Sequence, residues 1–379
     1  MKRELKRSIP GVMASVAVWL SSVVFVNGQA GPAATPPLSE QVFKNVQVLK
    51  GIPVNEFMGT MGVFSAALGM SCEDCHAAGD ADWSVYAKDS PRKLMARVMV
   101  TMMATINKTH FGGRQVVTCY TCHRGSARPR ATADLAELYG TPPGADQNVV
   151  FEQTRGAPSA EEVLDKYVQA IGGTQRLSAL TSFVAKGTRV GYGPDSEPSA
   201  AEIFARRGQR TTIVHTSGGD STTAYDGRAG WIAAPFRPVT VLALSDQDVD
   251  GLKLEADLSL PNGIKQALAK WRVGPAAVID DHEVQVVQGT TARGATATLY
   301  FDMESGLLVR SVRYTDSPVG RIPTQTDYSD YRDVSGVKMP FKWTKTWLDG
   351  RDTFEITAVQ PNVAIDTARF AKPSAPVAR

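Results

Sequence analysis

The sequence predicts a two-domain chain: an α-helical domain organised around paired cysteines, then an antiparallel β-rich domain, an open half-barrel with a helix. Three observations predict it. The pattern Cys-x-x-Cys-His occurs twice, at Cys72, Cys75, His76 and at Cys119, Cys122, His123, and takes up all 4 cysteines of the 379-residue chain. Each copy follows a segment whose apolar residues recur at helical spacing. From Ser159 the chain turns to Thr-, Val- and Gly-rich runs with period-two alternation and no cysteine. The chain then divides into 1–30 (export signal), 31–40 (Pro/Ala-rich, disordered), 41–130 (helical domain), 131–158 (linker with one short helical piece) and 159–375 (β-rich domain).

At the N-terminus, Lys2, Arg3, Lys6 and Arg7 precede an almost wholly apolar run from Gly11 to Val26, and Gly28-Gln29-Ala30 offers a small-residue cleavage site. The run is shorter than the roughly 20 residues that span a bilayer. It reads as a signal for export to the periplasm, with an uncleaved anchor as the alternative. No cysteine follows it to carry a lipid. The formal net charge of +3 is matched by the signal itself, so the remainder is near neutral and lacks the basic stripe that nucleic acid would call for.

The two motifs have a specific chemical reading. Two thiols three positions apart can form thioethers to the two vinyl groups of one haem, and the adjacent histidine then becomes the proximal iron ligand. Composition alone gives about 0.0005 expected matches to this pattern. Two copies imply two covalently attached c-type haems, which makes the helical part a multihaem c-type cytochrome domain. Covalent attachment takes place outside the bacterial inner membrane, so the signal and the motifs agree. A zinc site made of the four thiols would leave both histidines unused across the 43 residues between Cys75 and Cys119. Disulfides, and a thioredoxin-like motif that would need a βαβ context, are the other uses of these cysteines.

A sixth iron ligand should come from Met or His, Met giving the higher reduction potential. Residues 41–130 hold seven of the 11 methionines. Before the first motif, Pro53 can start a helix and Gly69 can end it, with Phe57, Met61, Phe64 and Leu68 on one face and Met58 one turn from Met61. Before the second, Ser90 is an N-cap, Pro91 the first helical residue and Gly112-Gly113 a stop. Leu94, Met95, Val98, Met99, Met102 and Ile106 form its apolar stripe. Methionine is also a general core filler, and spacing alone does not choose the ligand. Helix, turn and motif occur twice, as an internal repeat.

The blocks "NVQVLKGIPVNEFMGTM", "CEDCH", "ARVMVTMMATIN" and "VTCYTCHRG" resemble, over residues 45–130, the first half of the four-haem cytochrome c subunit of photosynthetic reaction centres. The resemblance implies electron transfer, with redox partner proteins that include a membrane-bound electron-transfer complex. It also implies that Met58 ligates the haem of His76 and Met99 that of His123, with Met61 and Met102 as the alternates. The chain departs from the family in lacking its two further motifs and its lipid-attachment cysteine. His110 lies near a family histidine that ligates a later haem. Here it is a surface residue, a ligand to a partner's haem, or an alternative sixth ligand. The resemblance speaks for electron transfer more than for photosynthesis.

In the second half, Ser159-Ala-Glu-Glu162 is a capping box opening a helix that Gly172-Gly173 ends. Alternating runs with turns at Glu304-Ser305-Gly306 and Val334-Ser335-Gly336 argue an antiparallel meander. The helix with "YDGRAGW", "LYFDMESGLLVR" and "VKMPFK" resembles the periplasmic lipoprotein-carrier (LolA-like) fold, which implies an apolar concavity. Trp231, Phe236, Trp271 and Trp347 could line it and hold a hydrophobic ligand, or simply fill the core. His215 and His282 belong to no motif, and no Ser-His-Asp or paired-carboxylate constellation supports a hydrolase. The leading expectation is a periplasmic electron carrier and no enzyme. A di-haem peroxidase-like enzyme, which needs an open iron, and a hydrophobic-ligand carrier or sensor with haem are the alternatives.

Overall fold

The structure, a computed structural model, describes residues 35–77, 82–129, 131–132, 140, 150–192, 196–235 and 237–376. The export signal, the helical piece expected in the linker and Phe236 lie outside the described residues. Among the described residues no helix is long and apolar enough to cross a membrane.

The first part is helical: α1 (Ser39–Val42), α2 (Val54–Leu68), α3 (Cys72–Cys75), a 3-10 turn (Trp83–Ala87), α4 (Pro91–His110) and α5 (Cys119–His123). The expected start and stop signals of α2 and α4 operate. Pro53 precedes α2 and Gly69 ends it at φ 63°, while the Ser90 hydroxyl accepts from the Lys93 N–H and Pro91 opens α4. The expectation of disorder to residue 40 fails in part, because the chain that follows orders the end of that stretch. Ser39 is fully buried, its hydroxyl donates to Leu49 O at 2.6 Å, and Leu38 bridges Pro53.

After it come α6 (Ala160–Ala170), with the Ser159/Glu162 capping box in place, and α7 (Gly173–Ala179). Then follow β1 (Ser182–Val190), β2 (Ser199–Arg206), β3 (Gln209–Thr216), β4 (Gly219–Tyr225), β5 (Gly230–Ala233) and β6 (Val241–Ala243). A helix, α8 (Asp246–Ser259), and a short α9 (Ile264–Ala267) interrupt the strands. The rest are β7 (Ala269–Val273), β8 (Ala277–Ile279), β9 (His282–Thr290), β10 (Thr296–Asp302), β11 (Leu308–Ser317), β12 (Gly320–Val334), β13 (Val337–Trp347) and β14 (Gly350–Pro361). All form one antiparallel sheet in the order β6-β5-β4-β3-β2-β1-β14-β13-β12-β11-β10-β9-β7, with β8 on β9. The hairpin turns fall where the sequence placed them, and the sheet stays open because β6 and β7 do not pair.

The main core joins Leu164, Tyr167 and Ile171 of α6 to Phe183, Ile203, Leu299, Phe301 and Ile356 of the sheet. Helix α8 touches β2 to β5 on one wing and β11 on the other, so the sheet curls about it. Gly251 allows this seat, since a Cβ there would lie 2.4 Å from the Arg313 guanidinium carbon. The sequence expectation of a single helix before the strands missed both α7 and α8. The end of the expected linker is also engaged: Phe151 packs with Tyr300 and Tyr314, and Thr154 N donates to Val273 O at 2.9 Å.

The described residues fall in one compact unit. Helix α2 lies against β11 and β12, with Gly59 facing Ile322 and Gly62 facing Asp349. Leu49, Val63, Val100 and Met103 bury Val319 from the β11–β12 turn. Polar contacts fix the same seam: Gln115 Nε2 donates to Ser317 O at 2.8 Å, Cys119 N to Val319 O at 3.3 Å, and Asn55 Nδ2 to Asp248 Oδ2 at 2.8 Å. In the run Met58-Gly59-Thr60-Met61-Gly62 the glycines therefore turn to the sheet.

Candidate haem sites

A cavity of about 470 Å³ brings most of the first predicted site together. Met58 and Met61 line it from α2, Cys72, Cys75 and His76 from the first motif, Trp83 and Tyr86 from the 3-10 turn, and Arg97 from α4. This volume is within the range of pockets that hold cofactors. The wall is mostly apolar, with Phe57, Phe64 and Leu68 among it, yet Lys44, Lys93, Arg97 and Arg237 also line it. Among the described residues, none of those lining it is acidic. An apolar chamber with a cationic rim suits an apolar body that carries negative charge, which is the chemistry of a haem with its two propionates.

The histidines are set for ligation. His76 Nδ1 lies 3.1 Å from Tyr86 O and His123 Nδ1 lies 3.0 Å from Ser126 O. A carbonyl only accepts, so each Nδ1 carries the proton and each Nε2 keeps its lone pair for a metal. Burial lowers the His76 pKa, with nearby Lys93 adding to it against the Tyr86 hydrogen bond, which favours the neutral, ligating imidazole. Tyr86 O also receives Lys93 Nζ at 2.7 Å, and the Ser90 hydroxyl that caps α4 donates to Cys75 O at 2.8 Å. One short segment thus orients both His76 and its motif helix.

All four cysteines are free thiols. Burial raises Cys72 and Cys75, and pushes Cys119 up to about 11. Among the described residues no three His, Cys, Asp or Glu side chains converge on a metal-sized site.

The second motif is held from two sides. Gly125 N donates to Ala67 O at 2.9 Å, and a Cβ on Gly69 would lie 2.3 Å from Gly125 O. Asn107, 6% exposed, donates to Val117 O at 2.7 Å and accepts from the N–H groups of Val116 and Val117 at 3.1 and 2.9 Å. This asparagine escapes a sequence reading because nothing marks a lone helical Asn as a loop clamp. The expected α4 stripe is not the face the helix buries: Leu94, Met95, Val98 and Met102 are 46–58% exposed and Met99 and Ile106 half-buried, while the buried residues are Val100, Met103 and Asn107, outside that stripe. His110 is exposed at the end of α4.

The concave side of the sheet differs from the expectation of an apolar ligand chamber. Helix α8 fills it, and the cavity of about 590 Å³ left beside α2 is lined by Glu56, Asp248, Asp316, Arg293, Arg313 and Lys345 among others. Burial raises the Glu56 pKa, and the neighbouring aspartates raise it further. Of the aromatic residues expected to line the concavity, Trp347 does line this charged cavity. Trp231 instead packs on Ala224 and Ala243, and Trp271 donates from Nε1 to Lys265 O at 3.0 Å. His215 pairs with Asp220 at 3.0 Å, and His282 lies 3.5 Å from Asp302.

Residues 16–164 match the family described as photosynthetic reaction centre cytochrome C subunit. The photosynthetic reaction center cytochrome c subunit of Rubrivivax gelatinosus is 37% identical over 112 residues, 27% of this chain and 29% of that protein. That of Thermochromatium tepidum is 37% identical over 106 residues, 26% and 25% of the two chains. The chain thus spans under a third of the length of the curated relatives it matches. Among solved structures, a LolA superfamily protein from Nitrosomonas europaea covers 57% of this chain and 99% of its own at TM-score 0.39 and 13% identity. A DUF1329 family protein from Desulfovibrio piger covers 57% and 98% at TM-score 0.40 and 9% identity. The segment that carries both Cys-x-x-Cys-His motifs is similar to the photosynthetic reaction centre cytochrome c subunits, over part of their length.

Proposed function

We propose that this chain is a periplasmic electron-transfer protein that holds two c-type haems covalently and performs no bond chemistry. The observation that carries the reading is the first cavity, which gathers Cys72, Cys75, His76, Met58 and Met61 inside apolar walls with a cationic rim. When bound, each haem supplies one-electron exchange at its iron.

Cys72 and Cys75 would hold the first haem and Cys119 and Cys122 the second, by thioethers. His76 and His123 would supply the fifth ligands through Nε2. Met58 and Met99 would supply the sixth, with Met61, Met102 and His110 as the alternatives. The carbonyls of Tyr86 and Ser126 hold the histidine protons on Nδ1. Phe57 and Phe64, half-buried in the cavity wall, would limit water at the ring, which with Met as sixth ligand would favour the reduced state. The exposed stripe Leu94, Val98 and Met102 supports a second apolar group lying on α4, since such a face is rarely left to solvent. Donor and acceptor would be redox proteins, among them a membrane-bound complex as in the related family.

The charged cavity beside α2 counts against a hydrophobic-ligand carrier, and the Met58 and Met61 side chains lining the first cavity count against an open, peroxidase-like iron. Intact mass after expression with the c-haem maturation machinery tests the assignment. Two covalent haems are expected in the wild type and one in the Cys72→Ala, Cys75→Ala variant. An unmodified wild-type chain would refute the reading.

A further inference from the structure

The first cavity is not built by the helical part alone. Arg237 and Pro238, on the loop between β5 and β6, line it together with His76 and Arg97. Arg237 also lines the charged cavity beside α2, so it stands between the two. Neither of the two guanidinium groups is fully satisfied by protein. Arg97 commits Nη2 to Asp89 Oδ1 at 2.7 Å and to Asn45 O at 3.3 Å, while its Nη1 is buried without a partner. Among the described residues Arg237 has no side-chain hydrogen bond or ion pair, and Asp349 is the acidic group whose field reaches it.

The buried Arg97 Nη1 is unfavourable without a partner, and a carboxylate is the partner that the guanidinium donors of both arginines fit best. No lining residue among those described supplies one. We propose that Arg237 binds a propionate of the first haem, acting with Arg97, so that the β-rich region completes this site and raises its potential. The inference rests on the haem reading above. A cation beside the ring disfavours the ferric state, which carries one more positive charge than the ferrous, so removing it lowers the potential.

The test is a potentiometric titration of the full, haem-loaded chain with Arg237→Gln, Arg237→Met and Arg237→Lys. Arg237 is exposed at the cavity rim, so the fold should survive. Both neutral variants should keep two haems. In each, one couple should move down so that its oxidised-to-reduced ratio at fixed potential rises about three- to tenfold, tenfold being 59 mV for one electron. The lysine variant should restore most of the shift. The couple that moves should be the one also moved by Met58→Leu combined with Met61→Leu. Two retained haems with neither couple moved, or with only the other couple moved, would overturn the assignment of Arg237. Absence of covalent haem from the wild type would instead overturn the parent reading.

Discussion

Replacing Asn107 by leucine removes a clamp of nearly the same size and tests whether the second motif is held by α4. Three hydrogen bonds vanish, to Val117 O and from the N–H groups of Val116 and Val117. At about 1 kcal/mol net for each bond, the floor is about 3 kcal/mol. Backbone groups left buried would add to this, but Val116 is 49% exposed, so water can satisfy part of the loss. About 3 kcal/mol of destabilisation is therefore expected, read from guanidinium unfolding followed by tryptophan fluorescence. The same variant should broaden the absorption of one haem, because Cys119 and Cys122 begin where this loop ends, while the other haem keeps its spectrum. A stability change under about 0.5 kcal/mol, the range of an uninvolved surface position, would refute the clamp.

Glu255 gives a pH signature. Burial alone would raise its pKa, but Lys345, Arg210 and Arg313 outweigh it and pull the carboxyl from 4.5 to about 2. A depressed folded pKa stabilises the fold fully above pH 4.5 and loses that contribution as pH falls towards 2, about 3 kcal/mol at 1.36 kcal/mol per pH unit. Glu255→Gln should flatten this limb of a stability-against-pH curve and lower stability at pH 7; an unchanged acid limb would exclude the network. Gly69→Ala should destabilise by about 2–4 kcal/mol, combining the left-handed backbone penalty with the clash on Gly125. Thermal melts that match the wild type would contradict it. Protein made without haem maturation should bind a hydrophobic dye through the bare α4 face, and haem-loaded protein should not; equal dye binding would mean that the stripe is not covered by haem.

Local signals carry far along this chain. Ser90-Pro91, Pro53 and Gly69 bound the two long helices because capping and positive φ are decided within a turn of the backbone. The Ser305-Gly306 and Ser335-Gly336 turns set the hairpins for the same reason. The motif cysteines and histidines need only their spacing. What depends on distant partners is hidden. Helix α8 carries a mid-helix glycine, and its place is decided by Arg313 on a strand formed much later in the chain. Arg237 lines the first cavity where α2 packs on the β11–β12 and β13–β14 turns, and no sequence period records that docking. The apolar lining expected of the concave face fails likewise: alternation says which residues face inward, not that a helix and paired charges will occupy the space.

The central claim is a pair of closed, six-coordinate haems that exchange electrons. An optical redox titration of the haem-loaded chain, with carbon monoxide added to the reduced form, tests it most directly. Two one-electron couples, the weak Fe–S(Met) band in the oxidised state and no carbon monoxide complex are the predicted result. A high-spin iron that binds carbon monoxide would contradict it and make an open, enzyme-like site the better account.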